Sequence, residues 1–245
     1  MELPCSPQIK PTLGADEIIT MQDATPVKDK YRIIGPVYDL LGTLYSGQAI
    51  YSCKIAMLTP ELIKPGDRVL FAGVGHGRDA IRAAELGAQV TVVDLSATML
   101  RKFRELLERE NRSFRYPIRE IHSDILKVQD AEPYDMVVAN FFLNVFTESM
   151  MVDVMRHLIS LTKGGGQLVV GDFTDSTGNF AARLLKRVYW YAALSLFCLL
   201  TKNPFHHMYD YPTHMAKLGL RVQDLKYFKR FNMSCYWSIR AQKPL

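Results

Sequence analysis

Residues 67–81, Asp-Arg-Val-Leu-Phe-Ala-Gly-Val-Gly-His-Gly-Arg-Asp-Ala-Ile, constrain the fold more than any other stretch of the chain. Arg68–Ala72 reads as a short buried strand, Gly73, Gly75 and Gly77 as a G-x-G-x-G turn, and 79–86 as the helix behind it. Such a turn bends sharply and leaves space where a Cβ would stand, so a ligand can approach the backbone. The helix start beyond it adds unpaired N–H groups. A glycine turn set between strand and helix is the context that marks a nucleoside-binding unit. The next strand, Gln89–Asp94, is a β-branched run closed by an acid. Asp94 is placed to accept hydrogen bonds from a ribose diol. Its alternative use is to cap the following helix, a task Ser96 can also perform.

The alternation continues. A helix is expected over 97–111, a third strand over 116–122 that ends in Ser123-Asp124-Ile125, and a fourth over 134–139 after the turn at Glu132-Pro133. The helix over 147–161 is strongly periodic, and Gly164, Gly165 and Gly166 are expected to end it. A fifth strand over 167–171 then delivers Asp172. This order implies an α/β fold with a mainly parallel sheet and right-handed crossovers. Ligands then sit at the carboxyl ends of the strands, where Gly73, Asp94, Asp124 and Asn140 fall. A helix over 212–218 opens with a proline at its first position. Strands over 220–228 and 233–241 follow as an antiparallel hairpin.

The runs VLFAGVGHGRDA and VTVVDLS, with HSDIL at 122–126 and YDMVVANFFLNVF at 134–146, resemble the class I S-adenosylmethionine-dependent methyltransferases. The resemblance implies a Rossmann-like sheet of seven strands, mostly parallel, with an antiparallel seventh strand between the fifth and sixth. Helices cover both faces, and a helical lid lies at the N-terminal side. It implies S-adenosylmethionine as cofactor and S-adenosylhomocysteine as product. Gly73, Gly75, Gly77, Asp79, Asp94, Leu95, Asp124, Ile125, Asn140 and Phe141 become the cofactor-binding set, with Asp124 on the adenine amino group and an apolar neighbour against the ring. Many members carry an acid two places before the first glycine, where this chain has Phe71. The expected organisation is an arm over 1–29 and a single domain over 30–245. Within it, a lid spans 30–62, the cofactor core 67–172 and a substrate cap 178–218.

The acceptor side is read from the same comparison. Members that methylate nucleobases or glutamine amides often carry Asn-Pro-Pro-Tyr at the end of the fourth strand. Asn140-Phe141-Phe142 stands there instead, which argues against nucleic acid as a partner. Asn144 occupies a place where small-molecule members often have histidine, and an amide is no general base. The Tyr-Asp pair at Tyr38 belongs to the lid, and Tyr31, Tyr38 and Tyr45 recur every seven residues, on one face if helical. They either pack on the core or wall the acceptor pocket. The loop 203–212 gathers His206, His207, Tyr209 and Tyr211, groups suited to holding or moving protons. His207 and His206 are the candidate bases, with Tyr38 beside them. Tyr31, Tyr45, Asn144, Tyr209 and Tyr211 are the candidate acceptor contacts. No third ligand has metal-site spacing, so no metal is expected.

Four scattered cysteines and no basic-then-apolar leader pattern point to a reduced, cytoplasmic setting. The net charge of +5 is concentrated at the C-terminal end, where 215–245 holds seven Lys or Arg against Asp224. Such a basic stretch is either a solvated face or a surface for an anionic partner. Residues 181–200 are basic in front, aromatic at 189–191 and apolar beyond. They read either as a buried cap over the pocket or as an interfacial helix in peripheral membrane contact. The composite expectation is methyl transfer to a small or lipid-like acceptor, a quinone, a phospholipid amine or a similar amphiphile, with a soluble metabolite or natural product as the alternative. A nicotinamide oxidoreductase is disfavoured because Asp79 at the helix start suits a pyrophosphate poorly. A non-catalytic binding protein on the same fold is the other competitor.

Overall fold

The computed structural model describes residues 48–174, 208–230 and 233–245. Tyr31, Tyr38, Tyr45, His206, His207 and the 181–200 segment lie outside the described residues, as do the 1–29 arm and most of the proposed lid and cap.

Seven strands form one sheet: β1 (Arg68–Ala72), β2 (Gln89–Asp94), β3 (Arg119–His122), β4 (Tyr134–Asn140), β5 (Thr162–Phe173), β6 (Arg221–Arg230) and β7 (Met233–Gln242). Their order is β3-β2-β1-β4-β5-β7-β6. The described helices are α1 (Gln48–Ile55), α2 (Arg78–Glu85), α3 (Ala97–Glu110), α4 (Glu148–Leu161) and α5 (Tyr211–Lys217). Side chains alternate across a strand, so each apolar run feeds two cores. Val69, Phe71, Val90, Val92 and Val138 meet Ala80, Ala83 and Ala84 of α2 and Leu100 and Phe103 of α3 on one face. Leu70, Ala72, Val137, Ala139 and Val170 meet Met151, Val154 and Leu158 of α4 and Met215 of α5 on the other.

β1 pairs in parallel with β2 on one side and with β4 on the other. The chain builds outward to β3 and then returns across β1, which opens a crevice at the carboxyl ends of β1 and β4. β7 runs antiparallel between β5 and β6, as the resemblance implies.

Several boundaries differ from expectation. β3 joins the ladder only at Arg119, opposite Thr91, because Pro117 has no N–H to offer a neighbour. The glycine triplet does not end α4: the helix stops at Leu161, and the Thr162 hydroxyl donates back to Leu158 O at 2.8 Å. The triplet instead binds the C-terminal tail, with Gly165 N donating to Lys243 O (3.0 Å) and Lys243 N to Gly166 O (2.9 Å). α5 starts at Tyr211 behind an Asp210 cap that accepts from Thr213 N, which moves Pro212 to the second helical place.

Candidate cofactor site and acceptor wall

The turn after β1 has the geometry its glycines permit. Gly73, Gly75 and Gly77 all lie at positive φ, at 78°, 50° and 70°. Their surroundings differ. A Cβ at Gly77 would run into the Phe103 ring, so this glycine serves the packing of α3 on the turn. A Cβ at Gly73 would stand 2.8 Å from the Phe142 ring. A Cβ at Gly75 would face the Lys54 ammonium at 3.3 Å, so this glycine opens toward charge.

Asp94 closes β2 beside the turn. Its Oδ2 accepts from Val74 N (2.9 Å) and its Oδ1 from Ser96 N (2.8 Å), so the acid holds the glycine turn in place. Ser96 is the residue that caps α3. The third strand's end is tied to the second: Ser123 N donates to Asp94 O at 3.1 Å, and His122 Nε2 lies 3.0 Å from Leu95 O. Leu95 is exposed and Ile125 is buried. Asp124 caps a short 3-10 turn by accepting from Leu126 N at 3.0 Å. The structure therefore brings together the turn, Asp94, Leu95, Asp124 and Ile125 along adjacent strand ends.

Across the crevice, β4 ends in Asn140 and Phe141. Phe141 holds φ 53°, a left-handed conformation unfavourable for a bulky residue, and its N–H donates to Gly171 O at 2.6 Å. Strain of this kind gathers at functional sites. It sends Phe141 and Phe142 to opposite sides. Phe141 meets Phe173 and Tyr236 edge-on, at 5.2 and 5.9 Å between centroids. Phe142 meets Phe146 at 5.3 Å. Phe141, Phe142, Phe146 and Phe173 each keep part of their surface open. Asn140 Nδ2 donates to Asp79 Oδ2 (2.9 Å) and to Lys54 O (3.1 Å). Asn140 Oδ1 is buried and has no hydrogen-bond partner among the described residues.

Asn144 and Tyr211, expected at the acceptor, serve a buried carboxylate instead. Asp172, at the end of β5, accepts from Asn144 Nδ2 (2.8 Å), Tyr211 OH (2.5 Å) and Phe173 N (2.7 Å). Burial pushes its carboxyl up to about 7 against the pull of these three donors. Tyr209 donates its hydroxyl to Phe146 O at 2.8 Å, and its phenol is also raised by burial. The Cys53 thiol is raised by burial and by the nearby Asp172 charge, so it is a packing group rather than a nucleophile. His214 pairs with Glu148 at 3.2 Å. Among the described residues no cluster suits a metal.

Lys54 and the Asp172 network are the parts that pattern reading missed. Lys54 sits on an unremarkable short helix with no nearby acid in sequence. Asp172 is visible as the residue β5 delivers, but its partners come from α5 and the loop after β4.

The residues present fit a nucleoside with a charged tail: a glycine turn, an acid beside it, and the opposite charges of Lys54 and Asp79 at the far end. The comparisons agree. A model described as a methyltransferase domain matches residues 69–166. The ubiquinone/menaquinone biosynthesis C-methyltransferase UbiE of Xanthomonas oryzae pv. oryzae is 29% identical over 163 residues, 62% of this chain and 63% of that protein. Its counterpart from Pseudomonas savastanoi pv. phaseolicola is 25% identical over 216 residues, 87% of this chain and 82% of that protein. The chain thus spans 63% of the first relative's length. Among solved structures, the Synechocystis magnesium protoporphyrin IX methyltransferase with bound S-adenosylhomocysteine superposes with TM-score 0.58 at 19% identity, over 80% of this chain and 82% of that one. The 1,6-didemethyltoxoflavin-N1-methyltransferase of Burkholderia thailandensis gives 0.59 at 17% identity, over 91% and 94%. These two show the shared fold. Motif order, sheet topology and relatives together support a class I S-adenosylmethionine-dependent methyltransferase, similar to the ubiquinone/menaquinone biosynthesis C-methyltransferases.

Proposed function

We propose that the chain transfers a methyl group from S-adenosylmethionine to a small, lipid-like acceptor, a quinone ring or a comparable amphiphile. The observation that carries this reading is the aromatic wall at the ends of β4 and β5. Phe141 and Phe173 on one side, backed by the buried Tyr236, and Phe142 and Phe146 on the other offer ring faces and edges where a flat apolar acceptor packs. The relatives' name, ubiquinone/menaquinone biosynthesis C-methyltransferase, points the same way.

The cofactor supplies a methyl carbon activated by a sulfonium. This chain's residues do the holding. Asp94 and the turn at Gly73 and Gly75 fix the nucleoside, Asp124 and Ile125 take the adenine, and the aromatic wall orients the acceptor. Positioning of this kind accounts for roughly 7–11 kcal/mol of a barrier when two reactants are well aligned. A carbon or phenol acceptor must also lose a proton, for which His207 or His206 is the proposed base, worth about 10²–10⁴-fold. Replacing both by glutamine abolishes turnover on this account; undiminished turnover removes them. Tyr31, Tyr38 and Tyr45 are proposed to close the pocket from the lid.

The exposed basic residues Arg221, Lys226 and Lys229 on β6, together with 181–200, suit approach to an anionic membrane surface where such acceptors dissolve. Among the described residues no helix is long and apolar enough to cross a membrane. The test is transfer of labelled methyl from S-adenosylmethionine into a total cell extract, split afterwards into organic and aqueous phases. Label in the organic phase is the expected result. Label confined to the aqueous phase replaces the lipid-like acceptor with a soluble metabolite, and no transfer at all leaves a cofactor-binding protein without this activity.

A further inference from the structure

We propose that Lys54 and Asp79 form a receptor for the amino-acid end of the cofactor, Lys54 taking its α-carboxylate and Asp79 its α-ammonium. The inference rests on the cofactor reading above and assigns Lys54 a role that no motif marks.

The position follows from the sheet. Asp94 ends β2, the glycine turn leaves β1 and Asn140 ends β4, three neighbours in the order β2-β1-β4. Adjacent strands lie about 4.8 Å apart, so a ligand whose ribose sits at Asp94 reaches Asn140 about 10 Å further on. Lys54, Asp79 and Asn140 converge there. The Lys54 ammonium lies 4.0 Å from Asp79 Oδ2 and 5.9 Å from the centre of the Phe141 ring, and it faces the open side of Gly75. The two side chains are 13% and 6% exposed, so both charges are largely out of water.

The chemistry of this pair is unfinished. A charge-assisted hydrogen bond closes to about 2.7–2.9 Å, and Lys54 and Asp79 stand well outside that. A buried pair in loose geometry gains little against its desolvation. A zwitterion set against the pair gives each charge a new opposite partner and leaves none uncompensated. Asn140 Oδ1 is buried against Gly171 and has no hydrogen-bond partner among the described residues. Asn140 Nδ2 already steadies Asp79. The place two before the first glycine, where the family pattern often has an acid, is held by Phe71, which is 2% exposed in the core. The ammonium therefore needs a counter-charge from elsewhere, and Asp79 at the start of α2 is a carboxylate stabilised by the helix end.

A purely structural alternative is that the pair pins α1 to the turn. Two ligands separate the cases. S-adenosylhomocysteine carries the amino-acid tail, and 5′-methylthioadenosine keeps the nucleoside and sulfur but lacks it. Both are titrated calorimetrically into the full chain and into Lys54→Met, Lys54→Arg and Asp79→Asn. Losing a charge-assisted bond weakens binding by about ten- to a hundredfold. The expected result is that loss for S-adenosylhomocysteine in Lys54→Met and Asp79→Asn, unchanged 5′-methylthioadenosine affinity, and recovery in Lys54→Arg. Equal weakening of both ligands in Lys54→Met, or no weakening of S-adenosylhomocysteine, overturns the proposal while leaving the cofactor reading intact. Failure of the unaltered chain to bind either ligand overturns both.

Discussion

Burial holds the Asp172 carboxyl near 7 although three donors point at it, and this has a consequence for stability. The folded value lies above the unfolded one. Between about pH 4 and pH 7 the folded chain keeps a proton that the unfolded chain has released, so this group makes stability fall as pH rises. The displacement corresponds to a loss on the order of 4 kcal/mol by the top of that window. Asp172→Asn keeps an acceptor for Asn144 and Phe173 and turns its amide toward the Tyr211 oxygen, without a titrating group. Urea unfolding at about pH 5 and about pH 8 is predicted to show a falling stability in the unaltered chain that the variant lacks; parallel pH dependence in both contradicts it. Gly77→Ala is predicted to lower stability by about 1–3 kcal/mol, because it combines positive φ with a clash on Phe103. An unchanged melting temperature would remove that packing role. At this scale the sequence displayed Gly73, Gly75, Gly77 and Asp94 openly, because local strand–turn–helix geometry fixes their roles. It hid Lys54 and the partners of Asp172, whose meaning depends on which distant elements fold against them.

Elements were legible where periodicity is strict. β1, β2 and β4 each centre on a short buried stretch, and α4 places Met151, Val154, Met155 and Leu158 on one face. Misreadings arose where tertiary pairing overrode a local signal. The glycine triplet looks like a helix stop, yet the C-terminal tail crosses it and forms the actual cap of α4. Lys243 Nζ donates to Ile159 O (2.9 Å) and Thr162 O (2.6 Å), carbonyls at that helix end. A cation there satisfies orphan acceptors and complements the helix dipole. Lys243→Met is predicted to cost about 1–3 kcal/mol, read as a lower unfolding midpoint with an unchanged denaturant slope. No shift would mean that the tail rests on the helix without holding it. β3 was overextended for a similar reason: apolar composition at 116–118 said strand, and the proline denied it a ladder.

At the scale of the molecule, the return of the chain from β3 across β1 to β4 decides where chemistry can occur. The alternation implied a mainly parallel sheet with Gly73, Asp94, Asp124 and Asn140 at strand carboxyl ends, and the reversal sets them side by side at one end of the sheet. The proposed acceptor wall was less legible, because it is assembled from β4 and β5 and backed by the buried Tyr236 of the antiparallel β7. The most direct measurement is amide hydrogen exchange of the full chain with and without S-adenosylhomocysteine. The account predicts added protection at 73–77, 94–96, 124–126 and 140–141, the carboxyl ends of β1 to β4. Protection absent from these segments, or found instead at the opposite end around Gly66 and Gly87, would contradict a cofactor site built across that crevice.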